Sequence, residues 1–177
     1  YVEISGLGND GVQTKLNEGL KAFCFAPTSS AEKDTTYDIM PVFEVVDGDL
    51  LSIRTYNTAY TAGAAYPVNS IRTQLFSLTT GNQDAGNLWD FIKDKGTLKQ
   101  LILDGKFGLA PAGADGEVPE ELKAAAYKKL AESIDTPEFA TQFYFGDGGR
   151  LNLWCDGDNH ATGDYWEFDI PVTDLAS

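Results

Sequence analysis

The sequence predicts an α+β protein: an antiparallel β-sandwich or barrel of about eight strands with a helical insertion at roughly 84–134. Two observations carry this expectation. Apolar and polar residues alternate, as in half-buried strands, before residue 80 and again after residue 138. Between these regions the apolar residues take the spacing of amphipathic helices. Because strands and helices do not alternate along the chain, a parallel α/β fold is disfavoured.

Length and composition predict a single domain over residues 1–177, with the helical segment embedded in it. The chain has 177 residues, of which 42% are hydrophobic and 12% aromatic, as is ordinary for globular proteins. No apolar run approaches the roughly 18 to 20 residues that a membrane-spanning helix needs. We therefore expect no membrane insertion.

The N-terminal region is expected to begin with two strands. The alternating residues at 1–5 predict the first strand, and those at 20–26 predict the second. In the second strand Cys24 would share one face with Leu20 and Ala22, because side chains two residues apart lie on the same side of a strand. This face is expected to point into the core.

The clearest hairpin of the sequence follows this region. Two alternating runs, 37–46 and 50–56, flank an Asp-Gly-Asp turn. Pro41 predicts that the first of these strands lies at a sheet edge or contains a bulge, because proline has no N–H to donate. The small residues at 57–70 lack periodicity and predict a long loop, which a strand at 71–79 follows.

The middle of the chain is expected to be helical. Apolar residues at helical spacing predict a helix over 84–95, and Thr97 is placed to cap a short second helix. The segment 106–118, rich in glycine and alanine, is expected to be a flexible connector. The strongest prediction is a helix over 119–134, because its proline suits a first turn and its acidic residues favour the positive N-terminal end.

Strands return at the C-terminal end of the chain. Alternating residues predict three of them, at 138–145, 150–155 and 165–172. The last shows the most regular alternation, with aromatic and aliphatic residues on one side and acidic residues on the other. These strands would complete the antiparallel sheet system.

The charge excludes some classes of partner. The formal net charge is −14, and between Asp135 and Ser177 nine acidic residues accompany a single basic residue, Arg150. Such a field repels phosphate backbones and anionic lipids, so binding to nucleic acid or to a membrane surface is disfavoured. Solubility alone explains the charge, and a cation or a basic partner is the alternative.

The segment WCDGDNHATGDYW, residues 154–166, gathers scarce residue types around the only histidine, His160. Its oxygen ligands predict calcium as the one candidate cofactor, held by Asp156, Asp158 and Asp164. The spacing fails the EF-hand pattern. The alternative is a plain turn, because Asp-Gly pairs recur at pattern breaks throughout the chain. A histidine-based catalytic triad is disfavoured, since no nucleophile elbow is present.

The two cysteines, Cys24 and Cys155, match neither zinc-ligand nor CxxC spacing. Both fall on predicted core-directed faces. Two alternatives stay open: a disulfide that closes a very long loop, or two buried thiols. A catalytic thiol is disfavoured, because no helix N-terminus or basic neighbour is evident near either residue.

Aromatic and polar residues near the C-terminus suggest a ligand or partner surface. Trp154 falls on the side of its strand opposite the apolar residues, together with Asn152, and Tyr165 is placed similarly. A solvent-facing aromatic ring beside polar groups suits a carbohydrate. The alternative is that Trp154 packs under the helical insertion or against a neighbouring subunit.

Carboxylates in or beside strands leave hydrolysis as a further alternative. Glu44, Asp47, Glu167 and Asp169 are the candidates for paired-carboxylate chemistry. Nothing in the sequence fixes a separation between any two of them.

The leading functional hypothesis is a non-enzymatic structural subunit that self-assembles in a virion, a tail-like tube or an extracellular filament. Catalytic residue types are scarce, and the small-residue segments 57–70 and 106–118 suit contacts between subunits. The expected partners are further copies or other structural proteins. The chain begins at Tyr1 rather than methionine, which fits either a processed, exported protein or a trimmed one. A carbohydrate-binding or adhesin module is the first alternative, and a carboxylate hydrolase is the second.

Overall fold

The computed structural model describes residues 2–26, 34–46, 48–111, 118–159 and 163–170. Within these residues it contains four α-helices and two antiparallel sheets, one of three strands and one of four. The predicted α+β class with antiparallel strands is confirmed. Neither sheet closes into a barrel, and the described residues form seven strands where about eight were expected.

The chain divides into two compact units, Tyr1–Gly86 and Asn87–Ser177. Three of the four helices in the described residues fall within the predicted helical segment 84–134, which also contains a short strand. The remaining helix lies in the first unit. None of the described helices is long and apolar enough to span a membrane.

The first unit combines one helix with a three-stranded sheet in the order β1-β2-β3. Both neighbouring strand pairs are antiparallel. The elements are α1 (Asp10–Phe25), β1 (Thr35–Val46), β2 (Leu50–Thr61) and β3 (Val68–Ser77). The edge position that Pro41 predicts is confirmed, because β1 is an outer strand of this sheet.

The strands predicted at 1–5 and 20–26 are wrong. Residues 2–9 form no regular element, and 20–25 belong to α1, where the Asn9 side chain caps the helix by accepting from the backbone N–H of Gly11 at 3.0 Å. The short alternation at 20–26 is one part of a helical stripe that begins earlier, at Leu16. This stripe packs on the sheet, and the buried core it forms is Leu16, Leu20, Phe23, Cys24, Leu51, Ile53 and Phe76.

The long loop predicted at 57–70 is also wrong. β2 continues to Thr61 and β3 starts at Val68, so that only a short turn at 62–67 joins them. The two strands stay paired as far as Ala59 and Val68, with Thr58 opposite Asn69 and a hydrogen bond of 2.8 Å between their side chains. The sequence shows no periodicity here because the end of the hairpin is largely exposed on both faces, and burial is what creates the alternating pattern.

The second unit contains three helices and a four-stranded antiparallel sheet in the order β4-β7-β6-β5. The helices are α2 (Leu88–Phe91), α3 (Lys95–Leu103) and α4 (Glu120–Ser133). The strands are β4 (Gly108–Pro111), β5 (Phe143–Gly146), β6 (Arg150–Asn159) and β7 (Gly163–Asp169). The prediction for α4 is confirmed to within a residue at each end.

Several boundaries in the second unit differ from expectation, among them the end of β6, which continues to Asn159 where the strand was predicted to end at 155. The helix predicted at 84–95 is reduced to α2, because the Asn87 side chain caps it late, accepting from the backbone N–H of Trp89 at 2.9 Å. The strand predicted at 138–145 begins only at Phe143, after a 3₁₀ turn over Glu138–Thr141. The predicted connector 106–118 contains β4, a short edge strand that lacks any alternating pattern.

The helices of the second unit cover one face of its sheet. The Tyr127 ring of α4 lies 5.7 Å from the Phe168 ring of β7, measured between centroids. Phe168 is fully buried and lies opposite Leu153 of β6. Because side chains alternate along a strand, the neighbouring residues of β6 and β7 project from the other face.

Candidate functional site

The other face of the four-stranded sheet brings together the predicted ligand-surface residues. Directly opposed residues of antiparallel strands project from the same side, so the strand pairing places a set of polar and aromatic side chains on one surface, which we call the polar face. Asn152, Trp154 and Tyr165 all belong to it, as the sequence suggested. The polar face consists of Tyr144, Arg150, Asn152, Trp154, Asp156, Tyr165, Glu167 and Asp169.

Hydrogen bonds hold the polar face in one arrangement. The Tyr144 hydroxyl donates to the Glu167 carboxylate at 2.7 Å. The Arg150 guanidinium donates to the Asp169 carboxylate at 2.8 Å, across the neighbouring strands. These bonds orient both acidic side chains along the sheet surface, so the face presents carboxylate, amide and hydroxyl groups at fixed positions.

The aromatic residues of the polar face differ in exposure. Trp154 is half-buried, so part of its ring is accessible. Tyr144 and Tyr165 are only 6% and 7% exposed. Trp154 is therefore the one aromatic side chain of this face that offers an accessible ring, and Tyr165 supports the surface rather than forming it.

The carboxylates proposed for hydrolysis are only partly brought together. Glu167 and Asp169 lie two residues apart on β7, which separates their Cα atoms by about 7 Å at the rise of an extended strand. Each accepts a hydrogen bond from a neighbouring side chain, as described above. Glu44 lies in the other unit, and Asp47 lies outside the described residues.

The calcium site predicted at 156–164 does not assemble from the residues that the structure describes. Asp156 lies opposite Tyr165, so Asp164, the residue next to Tyr165, projects from the other side of the hairpin. The Asp158 side chain and His160 lie outside the described residues. Over the described parts of the chain, no group of three or more ligand-type side chains is placed to hold a metal ion.

A lysine already occupies the neighbourhood of this hairpin. The Lys129 ammonium of α4 donates to the backbone carbonyl of Gly157 at 3.1 Å. A fixed positive charge at this position disfavours a second cation beside it. The Asp-Gly pair at 156–157 is also not the turn that the sequence suggested as the alternative, because β6 continues through it to Asn159 with a register shift after Asp156.

Both Cys24 and Cys155 are buried, and no disulfide joins them in this structure. Cys24 lies on α1 in the first unit and Cys155 on β6 in the second. The disulfide expectation rested on Cys24 occupying a strand, and that strand does not form. Burial raises the pKa of the Cys24 thiol, and the nearby positive charge of Arg72 lowers it by a smaller amount. A protonated, buried thiol is a poor nucleophile.

A second candidate surface lies at the far end of the three-stranded sheet. Four exposed large apolar side chains lie near the end of the β2–β3 hairpin, with Met40 and Tyr60 on one face of the sheet and Val68 on the other, and we call this region the hairpin end. They are Met40 at 56% exposure, Tyr60 at 54%, Tyr66 at 67% and Val68 at 64%. Hydrophobic groups concentrated in one exposed region are typical of an interaction surface.

The hairpin end is also free of charged residues along the hairpin itself. The stretch 57–71 contains no acidic or basic residue, although the protein carries a net charge of −14. On the adjacent part of β1, Asp38 is the only charged residue over 35–40. The small residues at 57–70 predicted a contact segment, and the absence of charge over 57–71 is the further signal in the sequence for an exposed contact surface.

A cleft of about 650 Å³ lies within the second unit, between α4 and the connection from α3 to β4. Its walls include the apolar residues Leu103, Phe107 and Tyr127. The Tyr127 hydroxyl donates to the backbone carbonyl of Phe107 and so ties the two walls together. Lys123 on the rim is paired with Glu120 at 2.6 Å, which leaves no unbalanced charge on that pair to select an ionic ligand.

Comparison with known proteins yields a distant structural likeness. No known family matches the sequence, and no curated protein matches it. One similar structure is the crystal structure of a member of the DUF3298 family from Bacteroides fragilis NCTC 9343, with a TM-score of 0.47 and 17% sequence identity. The likeness covers 92% of this chain but only 61% of that one. The chain thus spans less than two thirds of its neighbour's length.

Proposed function

We propose that the protein is a non-enzymatic structural subunit that self-associates through the hairpin end, as part of a virion, a tail-like tube or an extracellular filament. The observation that carries this proposal is the concentration of exposed apolar side chains on an uncharged part of a strongly acidic protein.

Electrostatics supports a second copy as the partner at this surface. Two copies with a formal charge of −14 repel one another wherever their acidic surfaces approach. The stretch 57–71 contains no carboxylate, so it adds no such repulsion when two copies meet at the hairpin end. This region therefore combines exposed apolar area, which stabilises association, with little charge repulsion between copies.

A charge placed at Tyr60 should abolish this contact. We expect Tyr60→Asp to raise the dissociation constant of self-association by about tenfold or more, because an aromatic anchor is lost and a carboxylate is desolvated. Sedimentation velocity over a range of protein concentrations measures the effect.

The matched control is Leu103→Asp. Leu103 is 52% exposed and is not one of the residues of the hairpin end, so this variant adds the same charge at a similarly exposed apolar position. Its association should stay close to that of the unmodified protein. A protein that is monomeric at every concentration, or equal weakening in both variants, contradicts the proposal.

Carbohydrate binding at the polar face is a second candidate function. The observation that favours it is that an accessible Trp154 ring lies on the same face as hydrogen-bonded amide and carboxylate groups. A sugar stacked on the ring would meet Asn152 and Glu167 as hydrogen-bonding partners for its hydroxyl groups. Hydrolysis by Glu167 and Asp169 is a weaker third candidate, because both carboxylates are engaged by neighbouring side chains.

Removal of the Trp154 ring tests this second candidate. We expect Trp154→Ala to weaken binding on a glycan array by about tenfold or more, whereas Trp154→Phe should retain part of the binding because it keeps a ring for stacking. Circular dichroism of both variants checks that the fold is unchanged. If the unmodified protein binds no glycan on the array, the candidate is rejected.

A further inference from the structure

The outer edge of β1 adjoins the hairpin end and is placed to pair with another strand. All twelve residues of β1 are matched to β2 on one side. On its other side, no strand is present among the residues that the structure describes. Tyr60 and Thr61 of the hairpin end lie opposite Thr36 and Thr35, so the start of this edge is continuous with the exposed apolar surface.

Pro41 divides the edge into two parts. Proline has no N–H, so it interrupts a ladder of backbone hydrogen bonds wherever it enters one. The part before it, residues 35–40, is an uninterrupted run of six with a single charge at Asp38. The part after it contains Glu44 and leads away from the hairpin end.

We propose that β1 pairs antiparallel with β1 of a second copy, about a two-fold axis at Tyr37, so that two three-stranded sheets continue as one sheet of six strands. The inference rests on the proposed self-association and specifies its geometry. In this register Tyr37 meets Tyr37 of the other copy and Thr35 meets Ile39. Each Asp38 meets a Thr36 hydroxyl, which donates to the carboxylate.

Other registers in the same run are less favourable. An axis moved one residue towards the N-terminus places Asp38 opposite Asp34 of the other copy, and an axis moved one residue the other way places the two Asp38 side chains face to face. Like charges directly opposite one another destabilise a strand pair. An axis moved further towards the C-terminus brings Pro41 into the paired ladder. The register at Tyr37 avoids all three penalties.

A cysteine at the axis tests the register. Opposed residues of antiparallel strands have Cβ atoms about 4.5 to 5.5 Å apart, close to the range that a disulfide spans. Under mild oxidation Tyr37→Cys should therefore form a covalent dimer, visible on a non-reducing gel. The native Cys24 and Cys155 are buried and should not crosslink. Val45→Cys, 57% exposed on the same strand but beyond Pro41, should stay monomeric.

Charge variants at Thr36, which is exposed, give a second measurement that does not require a crosslink. Thr36→Asp places a carboxylate opposite each Asp38 and should weaken self-association by about tenfold, whereas Thr36→Lys should strengthen it. If the protein self-associates but Tyr37→Cys does not crosslink and both Thr36 variants behave alike, the β1 pairing is overturned and self-association at the hairpin end stands. A protein that stays monomeric overturns both.

Discussion

Replacement of Gly81 by alanine is expected to lower the free energy of unfolding by about 2 to 4 kcal/mol, because backbone strain and a steric clash act together. Gly81 has a φ of +71°, a conformation that residues with a Cβ atom rarely adopt. A Cβ atom here would lie 2.7 Å from the backbone carbonyl oxygen of Val12 and 3.2 Å from Cβ of Lys15. Both neighbours belong to α1, so they cannot move without displacing the helix from its core contacts.

A matched glycine separates the two causes. Gly48 has a φ of +77° but no atom within 4 Å of the position that a Cβ would take. Gly48→Ala therefore carries only the backbone strain and should cost about 1 kcal/mol. Urea unfolding followed by far-UV circular dichroism measures both variants. Equal losses for the two would show that the loop at Gly81 does not approach α1 as closely as the structure indicates.

The contact at Gly81 illustrates what the sequence alone does not reveal in the first unit. The sequence predicts that glycines such as Gly81 lie in turns. It does not predict that this turn approaches α1, because that contact exists only if residues 10–25 form a helix. The alternation at 20–26 fitted a strand because the stretch is short and contains apolar residues on both sides of the chain. The helical spacing from Leu16 to Phe23 becomes decisive only when the Asn9 cap upstream is recognised as the start of the helix.

Elements with strong local signals were predicted well. Pro41 indicated an edge strand through the chemistry of its missing N–H, and the structure places it there. The helix over 119–134 was predicted closely because proline and acidic residues mark its start. By contrast, the strand ends at 58–61 and 68–70 contain no buried residue, so periodicity gave no indication of them.

The candidate sites, too, were predicted only where the sequence carries a local signal. Alternation along β6 and β7 was sufficient to place Asn152, Trp154 and Tyr165 on one face. Which face a side chain takes depends on the alternation along the strand and not on where the strand begins or ends. The alternating pattern did not predict that Tyr165 is buried. The hairpin end was missed as a paired element, since exposed strands with small residues resemble loops in sequence.

Because the chain divides into two compact units, unfolding experiments can test the prediction that it forms a single domain. All three tryptophans, Trp89, Trp154 and Trp166, lie in the second unit, so their fluorescence reports that unit alone. Circular dichroism reports both units. If the chain is one cooperative domain, Gly81→Ala in the first unit should shift both signals to the same new midpoint. Separate midpoints would indicate two domains.

Phe168→Ala should be the most damaging single substitution in the second unit, with a loss of about 3 to 5 kcal/mol in the free energy of unfolding. Phe168 is fully buried, lies between Leu109 of β4 and Leu153 of β6, and contacts the Tyr127 ring. Its removal leaves a cavity where strand β7 meets helix α4. Strand β7 cannot move to close that cavity, because backbone pairing with β4 and β6 holds it on both sides.

The control that keeps most of the side chain is Phe168→Leu, which should cost only about 1 to 2 kcal/mol because the cavity is smaller. Tryptophan fluorescence during urea unfolding is the appropriate measurement, since Trp166 lies two residues away on the same face of β7. The order of the two variants follows from cavity size, whereas loss of aromatic contact with Tyr127 alone would affect them equally. Equal losses would therefore show that ring contact, and not filled volume, is what Phe168 contributes to the packing of α4 on the sheet.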